Sequence, residues 1–139
     1  IKHQVASAWL AHAEGKHEEA LSLMRAAAEL DDAIEKHPVT PGALLPAREQ
    51  LGELLLELKQ PVAALQEFET SLRSAPNRFI GLYGAARAAK QGSDRKRAKN
   101  YYGKLIALCR LADSVRPEIK EAEEFLANVN VKLSANRQN

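Results

Sequence analysis

The stretch Leu51–Pro76, LGELLLELKQPVAALQEFETSLRSAP, decides the fold. Its first half places Leu51, Leu54, Leu55 and Leu58 at helical spacing. Lys59-Gln60 then interrupts the pattern, and Pro61 opens a second helix, where its fixed φ and missing N–H are harmless. In that second helix Ala64, Leu65, Phe68 and Leu72 face one way, and Pro76-Asn77 closes it. A helix, a two-residue turn and another helix make an antiparallel hairpin. Ala64 and Phe68, a small residue and a large one a helical turn on, return one period later as Ala98 and Tyr102. Upstream the pair is Ala20 and Met24. Recurrence at that period marks hairpins stacked in a row, each covering its neighbour's apolar face.

Working outward, the same reading predicts a helix from about His3 to Glu14, ended by Gly15, and another from His17 to about Lys36, ended by His37-Pro38. Its apolar stripe includes Ala20, Leu21, Met24, Ala27, Ala28 and Leu30. Three prolines and a glycine mark Pro38 to Pro46 as the one long connection, and its apolar Val39, Leu44 and Leu45 are expected to tuck against the first two hairpins, a contact site for a partner or for an upstream part of the protein being the alternative. Further helices are expected over Pro46–Leu58, Pro61–Ser74, Phe79–Lys90, from an N-cap at Ser93 to about Ala112, and from Pro117 to about Leu133. The last shows Ile119, Ala122, Leu126, Val129 and Leu133 on one stripe, as the end of a stack requires. Ala, Leu, Glu, Lys and Arg dominate, and no stretch alternates like a strand. The expected class is all-α with about seven helices, one domain over 1–139, its units covering about 1–36, 46–76 and 79–112, with a capping helix over about 117–133.

At 139 residues and 45% apolar, the chain can bury a core. Its net charge of +2 gives no global field toward nucleic acid or membrane. The charge is unevenly spread: residues 13–69 carry twelve acids against five bases, and residues 70–110 carry ten bases against one acid, Asp94. The single cysteine, Cys109, excludes an internal disulfide and any multi-cysteine zinc site. No apolar run is long enough to span a membrane. The first residue, Ile1, already sits in a helical pattern, which reads as a piece of a longer protein.

On these residues the sequence resembles the tetratricopeptide repeat (TPR) family, whose unit pairs Leu-Gly with an aromatic slot, then Ala, an aromatic and Pro. Leu51-Gly52, Leu55, Ala64, Phe68 and Pro76 fill that pattern. The next unit keeps Ala98 and Tyr102 but has Ala85-Ala86 for Leu-Gly, and the first keeps Gly15, Ala20, Met24 and Ala27. The stretches HPVTPG, LLPARE and PNRFIGLYGAARAA are also similar to the C-terminal repeats of larger uncharacterised bacterial proteins of this kind. The resemblance implies a right-handed α-solenoid of antiparallel helix hairpins. It implies a concave groove, lined by the first helix of each hairpin, that takes a peptide or helix of a protein partner.

Carried onto this chain, the groove residues are Trp9 and His12 from the first unit, Glu49 and Glu53 from the second, and Tyr83, Arg87 and Lys90 from the third. Glu49, Glu53 and Glu57 repeat at every helical turn, a spacing that opposes helix formation by a few tenths of a kcal/mol per pair. Arg87 and Lys90 on the following unit are expected to offset them in an ion-pair ladder; an acidic stripe for a basic peptide is the alternative. The positions where family members clamp a terminal carboxylate hold Val5, Trp9, Gln50, Ile80 and Gly84, none able to do so.

Arg95, Lys96, Arg97 and Lys99 open the sixth helix against its dipole and form a candidate basic contact patch. A solvated face is the simpler reading, an acidic protein surface the next, and the patch lacks the interleaved aromatics of a nucleic-acid site. His3, His12, His17 and His37 are scattered, so no metal site is expected. With no nucleophile elbow or glycine-rich phosphate loop, neither catalysis nor a cofactor is expected. The expected role is a protein–protein interaction scaffold. The alternatives are a purely structural or homo-oligomerising segment and a regulatory arm of a larger protein.

Overall fold

The structure is a computed structural model describing residues 1–34, 44–112 and 116–135, with side chains to Val129. Among these residues the chain forms α1 (Lys2–Ala13), α2 (His17–Ala33), α3 (Ala47–Glu57), α4 (Pro61–Ser74), α5 (Phe79–Gln91), α6 (Arg95–Leu108) and α7 (Pro117–Ala135), and no strand. Each helix packs on the next in sequence, so α1 pairs with α2, α3 with α4 and α5 with α6, while α2–α3, α4–α5 and α6–α7 join the pairs. The first helices also meet one another, α1 with α3 and α3 with α5. The fold is a right-handed α-solenoid of antiparallel hairpins.

The recurring small–large pair is the packing device. Met24, Phe68 and Tyr102 are completely buried, as are Ala20, Ala64 and Ala98. Phe68 on α4 reaches between two glycines on the helices that flank it. A Cβ on Gly52 would stand 2.7 Å from the ring, and one on Gly84 would stand 2.2 Å from it. Only a bare backbone lets α3 and α5 close on the ring from both sides, and burying such a side chain contributes roughly 1.5–3 kcal/mol. The period continues into α7: Leu54, Ala88 and Ala122 recur at the interval that separates Phe68 from Tyr102, and all three are fully buried. Helix α7 therefore lies where the first helix of a further hairpin would.

The turns repeat as well. Gly15, Lys59 and Ser93 join first to second helices, and all three have positive φ, at 79°, 59° and 63°. Glycine takes that conformation freely; the two side chains are strained by it. Ser93 is consequently not the N-cap expected from the sequence. Asp94 is, its carboxylate accepting the Arg97 N–H at 3.0 Å. The start of α3 is satisfied from another helix, since Pro46 offers no side-chain cap: Asp31 on α2 accepts the Ala47 N–H at 3.0 Å.

Three further expectations change. Leu30 is exposed rather than core, and α6 stops at Leu108, short of Ala112. The connection does not tuck in where it is described. Leu44 is 91% exposed and Leu45 is exposed too, although the Leu44 carbonyl accepts from Arg78 Nη2 at 3.0 Å. Val39, His37 and the end expected for the second helix at Lys36 lie outside the described residues.

Truncating Phe68→Ala is expected to cost about 3–5 kcal/mol, and Gly84→Ala about 1–3 kcal/mol, in urea unfolding. Combined with Phe68→Leu, Gly84→Ala is expected to cost less than the sum of the two single changes, because both act on one contact. Lys59→Gly should raise stability by about 0.5–1 kcal/mol by removing the left-handed strain.

Candidate binding face

The first helices carry a band of half-buried polar and aromatic groups. It begins on α1, where the Trp9 indole packs partly on the core and donates its N–H to Gln50 Oε1 on α3 at 3.0 Å. His12, one turn on, stands edge-on to Trp9 with ring centroids 5.9 Å apart, and 5.2 Å from His17. On α3, Glu53 takes Arg87 Nη1 from α5 on both carboxylate oxygens, at 3.1 and 3.0 Å. The Arg87 guanidinium lies 5.2 Å from the centre of the Tyr83 ring. Burial works against its charge, and Glu53 outweighs burial and raises its pKa.

The band then passes to α7 through Glu121. Its carboxylate accepts the Tyr83 hydroxyl at 2.7 Å, the Tyr102 hydroxyl at 2.8 Å and Lys90 Nζ at 3.0 Å. Trp9, Glu53, Arg87 and Glu121 occupy the same place in successive first helices; the last two steps match the repeat period, and the first is longer by the proline-rich connection. Equivalent positions thus alternate as aromatic, acid, base, acid. Glu53 meets Arg87 directly, and Arg87 is linked to Glu121 through Tyr83.

Glu121 is where this band responds to pH. Burial opposes its charge, but the bonds from Tyr83, Lys90 and Tyr102 win and hold its pKa below the ordinary carboxylate value. A carboxylate whose folded pKa is depressed stabilises above its unfolded pKa and loses that contribution as pH falls through the folded one. The tyrosines behave oppositely. Burial first, then the bond to Glu121, pushes Tyr83 up to about 12 and raises Tyr102 further. Their contribution is complete below the ordinary phenol pKa and lost as pH climbs through the raised one.

Two candidate residues lie elsewhere than the sequence suggested. Glu49 is fully buried and faces no groove. Its carboxylate takes Arg78 Nε at 2.8 Å, Arg78 Nη2 at 3.2 Å and the Ser71 hydroxyl at 3.2 Å, fastening α3 to α4 and to the start of α5. Lys90 does not join the glutamates of α3 either; it turns to Glu121. Of the expected ladder only the Glu53–Arg87 rung forms, and Glu57 stays exposed. Sequence reasoning missed Glu121, Gln50 and Arg78. Glu121 was legible in principle, since it falls one repeat period after Arg87.

The basic patch is a looser group. Arg95, Lys96 and Lys99 are exposed on α6, while Arg97 approaches Glu69 at 3.6 Å and Asp94 at 3.5 Å. Beside it, Lys96, Lys99, Asn100, Gly103, Lys104 and Ala107 line a shallow open depression. No group of three or more metal-ligating side chains occurs among the described residues, and no described helix is long and apolar enough to cross a membrane.

The geometry is that of a TPR-like helical-repeat protein. The sequence matches no protein-family model and no curated protein. Its fold does match solved structures. The crystal structure of PcrH from Pseudomonas aeruginosa superposes with a TM-score of 0.69 at 18% identity, over 93% of this chain and 90% of that one. The structure of PcrH in complex with the chaperone binding region of PopD superposes with a TM-score of 0.61 at 19% identity, over 99% and 92% of the two chains.

Replacing Glu121→Gln is expected to cost roughly 1–2 kcal/mol at pH 7, because the two tyrosine bonds become neutral ones and Lys90 loses its counter-charge. Urea titrations at pH 7 and at pH 3 check this: the gap between variant and parent should narrow at the lower pH, because the unfolded carboxylate takes up its proton before the folded one does.

Proposed function

We propose that this chain is a non-enzymatic binding module that takes an extended or helical segment of a protein partner along its first-helix face. The observation that carries the reading is the set of half-buried side chains on the first helices α1, α3 and α5, where Trp9 bonds Gln50, Glu53 bonds Arg87, and Arg87 lies against Tyr83. Large aromatic and arginine side chains held on rigid helices are what concentrated binding energy requires. Their mutual bonds order them before a ligand arrives, which lowers the entropy lost on binding. The first helices meet one another across this face, as expected for the inner wall of a curved stack. The PcrH fold in complex with a region of PopD supports the same reading by likeness of fold.

Within the band the groups divide the work. Trp9 supplies apolar area, while Gln50 and Glu53 supply acceptors and Arg87 a donor fork for the segment's backbone or side chains. Tyr83 anchors the third helix's contribution, its ring held against Arg87 and its hydroxyl on Glu121. Glu49 has no part in ligand contact. The basic group Arg95, Lys96, Arg97 and Lys99 lies on a second helix and is read as a solvated face. No cofactor enters this reading.

Peptides selected against the immobilised chain from a random library test the proposal. Trp9 is the single tryptophan, so its emission reports on occupancy of the band directly. A selected peptide is expected to shift that emission, and Trp9→Ala or Arg87→Ala to weaken its binding at least tenfold, about 1.4 kcal/mol. Lys96→Ala should leave its affinity unchanged. Binders that leave Trp9 emission unmoved and ignore both substitutions would refute the assignment.

A further inference from the structure

The first helices do not balance their own charge. The bases of the band, Arg87 and Lys90 on α5, are both taken, Arg87 by Glu53 and Lys90 by Glu121. Two acids are left over: Glu57 on α3 and Glu118 on α7. Neither has an ion pair or a side-chain hydrogen bond among the described residues.

The register shows why Glu118 is left without a base. It falls in the place of Gln50 and Gly84, one repeat interval after each. Gln50 in that place accepts from Trp9 on the first helix before it. By the same step Arg87 would serve Glu118, but its Nη1 goes to both oxygens of Glu53 on the other side. Arg116, two residues before Glu118, lies over the Phe79 ring at 4.6 Å instead. Lys120 is two residues on, which on a helix is not the same side. The result is a half-buried carboxylate whose Oε2 is closed off from solvent and meets no donor among the described residues. It lies beside the third helix's anchor: after burial and Glu121, the charge of Glu118 is a further cause of the raised Tyr83 pKa. Its place in the first turn of α7 lets the helix dipole offset part of that charge while no ligand is bound.

Glu57 stands one turn past Glu53 on α3 and is exposed. Its counterpart on α5 is the uncharged Gln91, so the next first helix offers it no base in that place. An acidic occupant of this face would meet two unpaired acids, with both bases already paired. A basic occupant meets the reverse. A carboxylate partly desolvated by folding also gives up less water to an arriving cation than a fully hydrated one does.

Given the binding reading above, on which this rests, we infer that the segment taken by the first-helix face is basic, with one lysine or arginine seated on Glu118 beside Tyr83 and another toward Glu57.

Peptides selected from a random library for their shift of Trp9 emission test this. They are expected to be richer in lysine and arginine than the starting library, and to bind less tightly in about 0.5 M than in about 0.05 M sodium chloride. Glu118→Gln should weaken them by about threefold to tenfold, and Glu57→Gln by less, with unchanged circular dichroism and a flatter salt dependence. Changing the peptide's contacting lysine or arginine to glutamine should then lose little more in the Glu118→Gln variant, as for two groups that act as a pair. Peptides that move Trp9 emission yet are neutral or acidic would overturn the inference and leave the binding reading standing, as would basic ones indifferent to Glu118→Gln. A library that yields no peptide able to move Trp9 emission would sink both.

Discussion

Everything in this fold depends on how near two helix backbones can come to the Phe68 ring. Gly52 on α3 and Gly84 on α5 leave no room for even a methyl group at that point. Because α4 presents the ring to the helix before it and the helix after it, one side chain fixes both the hairpin and the step to the next hairpin. Such contacts are local along the chain, so stability accumulates from neighbour to neighbour and not from a single centre. One period on, Tyr102 is equally buried, and its hydroxyl donates to Glu121 on α7.

A scaffold built this way separates two duties. The buried sides of α3, α4 and α5 and the joints between hairpins carry the packing. The remaining face of the first helices carries a band whose members bind one another from one first helix to the next. Ion pairs such as Glu53–Arg87 contribute modestly to stability at half-exposed sites. Their larger effect is to hold side chains in one geometry, which is what a recognition surface requires. Fully buried Glu49 belongs to the other duty. Once Arg78 and Ser71 satisfy it, it locks the joint between α3, α4 and α5, and removing Arg78 would leave a buried charge.

Much of this was legible in the sequence. The hairpins followed from leucines at helical spacing and from Pro61, and the stacking followed from a small–large pair recurring at a constant interval. Both signals are local or periodic, which is what a single sequence displays. The misses were side-chain pairings across helices. Glu49 looked like a groove acid because its one-turn spacing with Glu53 suggested one face; a helix packed on two sides buries residues that periodicity alone would put outside. Ser93 looked like an N-cap by residue type, but the turn there takes a positive φ and hands the role to Asp94. Leu30 fitted the stripe of α2 yet lies near its end, beyond the reach of α1.

The central claim is that order here is passed from hairpin to hairpin. Native-state hydrogen exchange measures that directly, residue by residue. The account predicts the slowest exchange in α3, α4 and α5 around Phe68, with protection falling stepwise toward α1 at one end and α7 at the other. Equal protection in all seven helices, lost together in a single opening, would contradict it.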